Sequence, residues 1–400
     1  MQLFSFINKF DPIIKPYMRT LSKKKIPVIV CFRDDAKSIK NKIIYGSGKI
    51  KYEYKHVKAI SCELSPAFVD KLSEMPEVPF ICFDHKATLC LNNSNNVLGV
   101  NHAKKFNLTG KGIGIGIIDT GVFPHPDLIN SKNRIAYFND LINGCLKPYD
   151  DNGHGTFISG CIASSGFMSN NFYSGIAPDS SICMIKAFDS SGHGFMSDII
   201  KAIDIMLSIK DKYNLRIICL PFEFPYLNDM KINPLKDIIK KALEMNITVV
   251  APSGNLGPQP YSIYFPGNMK EVITVGGAVC SNNILKNFTV SSFSGRGPLL
   301  DGSLKPDIIA PCSNITSLSS NTHYTPLGKA DMDIKNPYTS MSGTSISCAL
   351  ISGVCALILE KTPNLTPSDL KSILCLSSLS IGDNKYSQGK GIFIFEKIIK

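Results

Sequence analysis

The sequence predicts an α/β protein, a parallel sheet sandwiched by helices, preceded by a smaller α+β unit. Three observations predict it. Beyond residue 110, short apolar runs alternate with segments of helical spacing. Such alternation implies a parallel sheet with helices on both faces. Before residue 90, strand-like and helix-like segments follow one another in the order β-α-β-β-α-β. Between them, "LNNSNNVLG" (91–99) is polar, rich in Asn, and reads as a linker.

In the first part, "IPVIVCF" (26–32) reads as a strand and residues 34–43 are helix-compatible. "KIKYEYKHVKAISCEL" (49–64) alternates and predicts two strands turning near Lys55 and His56. In "SPAFVDKLSEM" (65–75), Ser65 stands as a helix cap and Pro66 at the first helical position. "VPFICFD" (78–84) is a last strand, which completes a ferredoxin-like order. In the second part, strands are expected at "GIGIGIID" (112–119), "SICMIKAF" (181–188), "RIICL" (216–220), "ITVVAPS" (247–253) and "VITVGGAV" (272–279). Residues 198–209 and 234–245 carry helical spacing. The expected organisation is an extension (1–25), a small domain (26–91), a linker (92–109) and a large domain (110–400).

The chain has 400 residues, 44% hydrophobic and 19% charged, enough apolar content to bury a sizeable core. Its net charge is +11, and residues 1–98 hold 16 Lys and Arg against 9 Asp and Glu. The basic residues there are scattered, with one run at Lys23–Lys25, so they read as solvated surface and no nucleic-acid partner is expected. Thirteen cysteines without any C-x-x-C argue against a zinc site and a disulfide framework. Many sit in apolar runs, which points to a reducing compartment. The first twenty residues lack a continuous apolar core, and no stretch approaches ~18 uninterrupted apolar residues, so neither a signal peptide nor a membrane span is expected. The expectation is a cytoplasmic protein.

Four residues stand out. Asp119 closes the strand "GIGIGIID", at the sheet edge where sites of α/β proteins form. Its Asp-Thr-Gly also mimics an aspartic protease, but such a site needs a second carboxylate. The glycines at 112, 114 and 116 mimic a dinucleotide loop, yet they lie before and within the strand. His154 in "DDNGHGTFISG" sits among small residues at a helix start, and imidazole is the usual base near neutral pH. Asn255 in "VVAPSGNLGP" follows a strand, where it serves as a turn residue or as an amide donor. Ser345 in "SMSGTSISCALISG" opens an apolar helix, and Ser342, Thr344 or Ser345 can each be read as its N-cap. The sharper reading makes Ser345 a nucleophile, because a helix N-terminus offers free N–H groups to a developing oxyanion. Taken together, Asp119 would orient, His154 accept the proton, Ser345 attack, and Asn255 stabilise charge.

Residues from about 100 to 377 resemble a subtilisin-like serine protease. The matching pieces are "GIIDTGV", "NGHGTFISGCIA", "GIAPDSSICMIKAFD", "VVAPSGNLGP", "PGNMKEVITVGGAV", "SSFSGRGP", "KPDIIAP" and "SMSGTSISCALISGVCALIL". Residues 26–87 resemble that family's N-terminal propeptide of the I9 type. The resemblance implies a subtilisin-like sheet, peptide-bond hydrolysis by the triad Asp119, His154 and Ser345, and Asn255 in the oxyanion hole. It also implies polypeptide substrates, the chain's own propeptide as a partner, and self-cleavage; the linker places the cut within "TLCLNNSN" (88–95), expected after Leu91, where an apolar side chain precedes small polar residues. The expected lack of a signal peptide resembles the intracellular branch.

Three positions depart from the family pattern. Ala349 stands where the helix usually has Pro, and Cys312 where Gly is common. Leu220-Pro221-Phe222 occupies the place of a Ser-Leu-Gly segment that pairs with substrate and walls the first specificity pocket. Leu220, Pro221, Phe222, Ser253 and Gly254 are therefore the expected substrate-binding residues, with Phe222 filling space that Gly leaves open. The alternative is a pseudoprotease or binding protein of the same fold with an impaired groove. The family often binds Ca²⁺, so calcium is a possible cofactor by resemblance alone. The loop 164–175 offers Asn and Ser but no Asp or Glu, and no metal ligand is assigned.

Overall fold

The computed structural model describes residues 9, 14, 25–33, 35–53, 59–83, 107–194, 196–224, 234–280, 288–326 and 334–398. The chain divides into two compact units, Met1–Thr88 and Leu89–Lys400. Leu91 and most of the expected linker lie outside the described residues.

The first unit runs β1 (Ile26–Cys31), α1 (Ala36–Tyr45), β2 (Lys49–Glu53), β3 (Ala59–Leu64), α2 (Pro66–Ser73) and β4 (Phe80–Phe83). Its sheet has the order β2-β3-β1-β4, with every pairing antiparallel. Asp35 starts α1 by accepting from the amides of Lys37 and Ser38. Ile39 and Ile43, one turn apart, then face Val28, Val30, Ile60 and Leu64 in the core. Ile14 is buried in this same core, and the Lys9 carbonyl accepts from the Ile81 amide.

In the second unit the strands are β5 (Gly114–Asp119), β6 (Ile135–Asp140), β7 (Ser181–Lys186), β8 (Leu215–Cys219), β9 (Thr248–Pro252), β10 (Ile273–Cys280), β11 (Phe288–Val290), β12 (Ile308–Pro311), β13 (Ile315–Leu318), β14 (Tyr338–Met341), β15 (Ser378–Leu379) and β16 (Ile392–Phe393). The main sheet has the order β15-β16-β12-β10-β9-β8-β5-β7-β6. From β6 to β16 every neighbour is parallel, while β15 and β11 join antiparallel. The helices are α3 (Pro126–Ile129), α4 (His154–Ala163), α5 (Met196–Ile209), α6 (Pro234–Glu244), α7 (Thr344–Lys361), α8 (Pro367–Leu376) and α9 (Lys385–Gln388).

Both faces of the sheet are covered, which explains why its strands read as continuous apolar runs. Ile115, Ile117, Ile217 and Val250 face α4 and α7, against Phe157, Ile158, Ile351 and Val354. The intervening Ile118, Ile218, Val249 and Ala251 face α5 and α6, against Ile199, Ile203, Met206 and Ile239. The alternation is the two-residue period of a strand. Helix α7 is long and apolar enough to cross a membrane by length and composition, but it is buried in the core along most of its length. It therefore has no apolar face left over.

The strand order reverses at β5. The chain goes on from β5 to β6 and β7 on one side and to β8 on the other. Neighbouring connections leave this point in opposite directions, which opens a crevice at the carboxyl ends of the strands. Asp119 is the last residue of β5 and lies at that crevice.

Candidate active site

Three elements converge on the crevice. Strand β5 ends in Asp119, which is almost fully buried. Helix α4 begins with His154, and helix α7 carries Ser345 as its second residue. The His154 Nδ1 lies 2.9 Å from each carboxylate oxygen of Asp119, and its Nε2 lies 3.1 Å from Ser345 Oγ. Residues separated by 35 and 191 positions in sequence thus form one hydrogen-bonded chain. The Thr120 amide also donates to Asp119 Oδ1 at 2.7 Å, which helps fix the carboxylate plane.

Helix α4 can approach Asp119 because residue 155 is glycine. A Cβ there would run into the carbonyl oxygen of Gly121 and stand 3.2 Å from Asp119 Cβ. The helix start is held by Asp150, which is fully buried. Its carboxylate accepts from the amides of Asn152, Gly153 and Thr156 and from the hydroxyls of Thr120 and Thr156. The Gly155 amide donates to Thr120 Oγ1. Sequence reasoning missed Asp150, although an Asp shortly before the glycine-flanked histidine is the usual signal for a capped helix start. Lys186, also missed, is fully buried at the end of β7. Its ammonium donates to the carbonyls of Thr120 and Phe188 and to Asp151.

Burial of the imidazole works against its charged form, but the Asp119 carboxylate and the hydrogen bond to it outweigh that, with a smaller contribution from Asp150. The net result raises the His154 pKa above its ordinary value near 6.5.

The N-cap of α7 is Gly343, not Ser342, Thr344 or Ser345, so the Ser345 hydroxyl is not spent on capping. Ser342 Oγ instead accepts from the Asn314 amide. Ser345 N–H lies in the first turn, where amides have no intrahelical acceptor. Asn255 Oδ1 accepts from both the amide and the hydroxyl of Thr344. With its oxygen so engaged, the Asn255 amide group has its N–H donors left for the mouth of α7.

The expected substrate wall divides differently from the sequence reading. Leu220 is fully buried in the core beneath the sheet, where its amide pairs with the Val250 carbonyl, so its side chain does not reach the groove. Ser253 is likewise fully buried, its hydroxyl 3.2 Å from that of Ser294. Phe222 does not fill the space before Gly254. It packs between Phe188 and Phe224, at ring separations of 5.0 and 5.9 Å. With Pro221, Phe188, Gly192, Asn152 and His154 it lines a cavity of about 260 Å³ beside Asp119. Glu223, which the sequence reading passed over, takes the place before Gly254. Adjacent in sequence, Phe222 and Glu223 thus have different neighbours, an aromatic cluster for one and Gly254 for the other. The other two departures are absorbed into the core: Ala349 and Cys312 are both fully buried, and Cys312 packs on Gly277.

The loop 164–175 is organised around Asp127, but not as a cation site. Asp127 Oδ1 accepts from the Met168 amide, and Oδ2 accepts from the hydroxyls of Ser164 and Tyr338. Calcium requires several oxygens pointing inward as acceptors. Here N–H and O–H donors surround the carboxylate, so this loop does not fit the ion. Among the described residues, no group of three or more His, Cys, Asp and Glu is placed to hold a metal.

The model of the subtilase family, peptidase S8, matches residues 110–391. The chain is 34% identical over 339 residues to serine protease AprX of Bacillus subtilis (strain 168), covering 82% of this chain and 75% of the relative. It is 28% identical over 356 residues to subtilisin E of the same organism, covering 86% and 81%. A cold adapted subtilisin-like serine proteinase of known crystal structure shares the fold at a TM-score of 0.56 and 22% identity, covering 72% of this chain and 90% of that one. With the geometry of Asp119, His154 and Ser345, these matches lead to one conclusion: the chain belongs to the subtilase family and is a subtilisin-like serine endopeptidase.

Proposed function

We propose that Asp119, His154 and Ser345 are the catalytic triad of this endopeptidase, and that it removes its own N-terminal unit. The observation that carries the first part is the double engagement of His154. Its Nδ1–H donates to Asp119, so the other nitrogen, Nε2, is the unprotonated one and faces the Ser345 hydroxyl. As Ser345 Oγ attacks the scissile carbonyl, Nε2 takes its proton, and Asp119 stabilises the imidazolium that forms. The carbonyl oxygen, now negative, is met by Asn255 Nδ2 and the Ser345 amide. Imidazolium then protonates the departing amine, leaving an acyl-enzyme ester that water hydrolyses by the same steps. A pseudoprotease needs none of these contacts, so their presence favours the enzyme.

The second part rests on the separate β-α-β-β-α-β unit and on its resemblance to a propeptide. Released, this unit would be a natural inhibitor of the groove. A cytoplasmic setting is part of the same proposal. Cys219 and Cys348 lie with sulfurs 3.6 Å apart in the core and are both free thiols, as expected in a reducing compartment.

A fluorophosphonate probe and mass spectrometry test both parts. Wild type should be labelled at Ser345, hydrolyse casein, and separate into fragments of roughly 10 and 33 kDa at ~110 Da per residue. Ser345→Ala should remain unlabelled, inactive and full length. Processing that persists in Ser345→Ala would assign the cut to another protease.

A further inference from the structure

We infer that Glu223 gives the primary specificity pocket a negative floor, so that this enzyme cuts peptides after lysine or arginine. The inference rests on the triad and oxyanion roles proposed above.

Ser345 and Asn255 fix where the scissile carbonyl must sit. On those roles, the side chain of the residue carrying that carbonyl would lie beside the residue that precedes Asn255. That residue is Gly254, at φ +90°, a conformation that side-chain-bearing residues rarely adopt. The space in front of it is held by the Glu223 carboxylate: a Cβ on Gly254 would overlap Oε2 and stand 2.8 Å from Cδ. Oε1 accepts from the Asn255 amide at 3.2 Å, which ties the carboxylate to the oxyanion residue itself.

The second oxygen is unsatisfied. Glu223 Oε2 is buried and has no hydrogen-bond partner among the described residues. A buried acceptor without a partner is costly and uncommon in folded proteins. Burial makes the charged form harder to maintain, and the hydrogen bond from the Asn255 backbone N–H offsets part of this, so the carboxyl titrates above the usual glutamate range. What is missing is a donor with a positive charge. An ammonium or guanidinium on the substrate would supply both, and the partly dry surroundings would strengthen the pairing. An apolar side chain in the same place would leave Oε2 unpaired, and an acidic one would be repelled. A site with a buried polar group rejects ligands that cannot pair with it, which makes such a group a strong selector.

The test uses the processed enzyme and fluorogenic peptides that differ only in the residue before the scissile bond: Arg, Lys, norleucine, Phe or Glu. Wild type should cleave the Arg and Lys peptides with kcat/KM about 100-fold or more above norleucine, the order expected for one desolvated charge pair. Glu223→Gln keeps the shape and an acceptor for the Asn255 amide, and should collapse the Arg-to-norleucine ratio by most of that factor. Glu223→Lys should reverse the preference toward the Glu peptide. Wild type preferring Phe or norleucine, or an unchanged ratio in Glu223→Gln, would overturn the inference. Fluorophosphonate labelling of each variant separates the two levels. Labelled Ser345 without a cationic preference removes only the role of Glu223; an unlabelled wild type removes the triad reading and this inference with it.

Discussion

Asn255 Oδ1 lies 3.0 Å from both the backbone nitrogen and the side-chain oxygen of Thr344, the residue before Ser345. This double acceptance fixes the rotation of the Asn255 side-chain amide and leaves its nitrogen free for the oxyanion role proposed above. Asn255→Ala should lower kcat by about 10²–10³ with little change in KM, a magnitude known from an oxyanion asparagine of subtilisin. The amide meets a charge that exists only in the transition state, so binding is spared. Thr344→Val removes one of the two tethers and should give a smaller loss of the same kind. Steady-state kinetics on one peptide decides it: a change confined to KM would make Asn255 a substrate contact instead.

The pH dependence follows from His154. The imidazole must be neutral to accept the Ser345 proton, and its pKa is raised. The kcat/KM profile should therefore climb with pH along a limb whose midpoint lies above about 6.5. Asp119→Asn removes the raising charge, so the remaining activity should be far lower and its limb displaced to lower pH. A wild-type limb at or below 6.5 would contradict the pairing. Linkage gives the matching sign for stability. The Asp119–His154 contact contributes fully below the unfolded pKa and is lost as pH rises through the higher folded value.

Asp150 joins the packing of α4 to its chemistry. Asp150→Ala strips the acceptor from five buried or half-buried donors, at ~1–3 kcal/mol for each left unsatisfied. Local relaxation and water will recover part of this, so a net loss of at least about 3 kcal/mol is expected, or roughly 4–5 °C in Tm for a unit of this size. The measurement belongs in a Ser345→Ala background, which prevents autolysis. In the active background, kcat should also fall, because His154 lies on the turn that Asp150 holds. A Tm within a degree or so of the parent would show that other contacts hold the helix start.

Asp127 gives a test of the calcium question. The donors around its carboxylate predict that Asp127→Ala destabilises the second unit by the same amount in calcium and in chelator. Differential scanning calorimetry in the two buffers measures it, and a loss seen only in calcium would show that the ion sits at this loop after all. His125, two residues earlier, is fully buried and takes the Asp127 amide at Nδ1 while its Nε2–H donates to the Pro337 carbonyl. Burial lowers its pKa, against the raising effects of Asp127 and Pro337. The unfolded chain thus binds a proton that the folded one resists. The resulting stability is complete above about pH 6.5 and falls as pH drops below it.

Much of this was legible in the sequence because it was local. Strands β5, β7, β8, β9 and β10 announced themselves as apolar runs, and α5 and α6 by their spacing. Strand β6 and the short strands from β11 onward did not, because "IAYFND" is only partly buried and the others are two to four residues long. Asp119, His154, Asn255 and Ser345 were readable because each lies in a short block with small neighbours, of which Gly121, Gly155 and Gly254 are required by close approach.

What the sequence determined by itself is the set of chemical parts and the layers that carry them. Apolar periodicity and turn residues act over a few positions, and they suffice to specify strands, helices and the ends at which reactive side chains stand. Only the tertiary structure decided which groups meet. Phe222 and Glu223 are adjacent in sequence, yet one packs into an aromatic cluster and the other reaches Asn255, 32 positions away. Leu220 read as groove, and its side chain belongs to the core; Asp150, which the sequence reading did not single out, anchors the helix that holds the imidazole. Such outcomes depend on the direction a side chain takes from its strand and on what another segment, hundreds of residues distant, leaves unpaired. Those are properties of packing, and no stretch of the chain contains them alone.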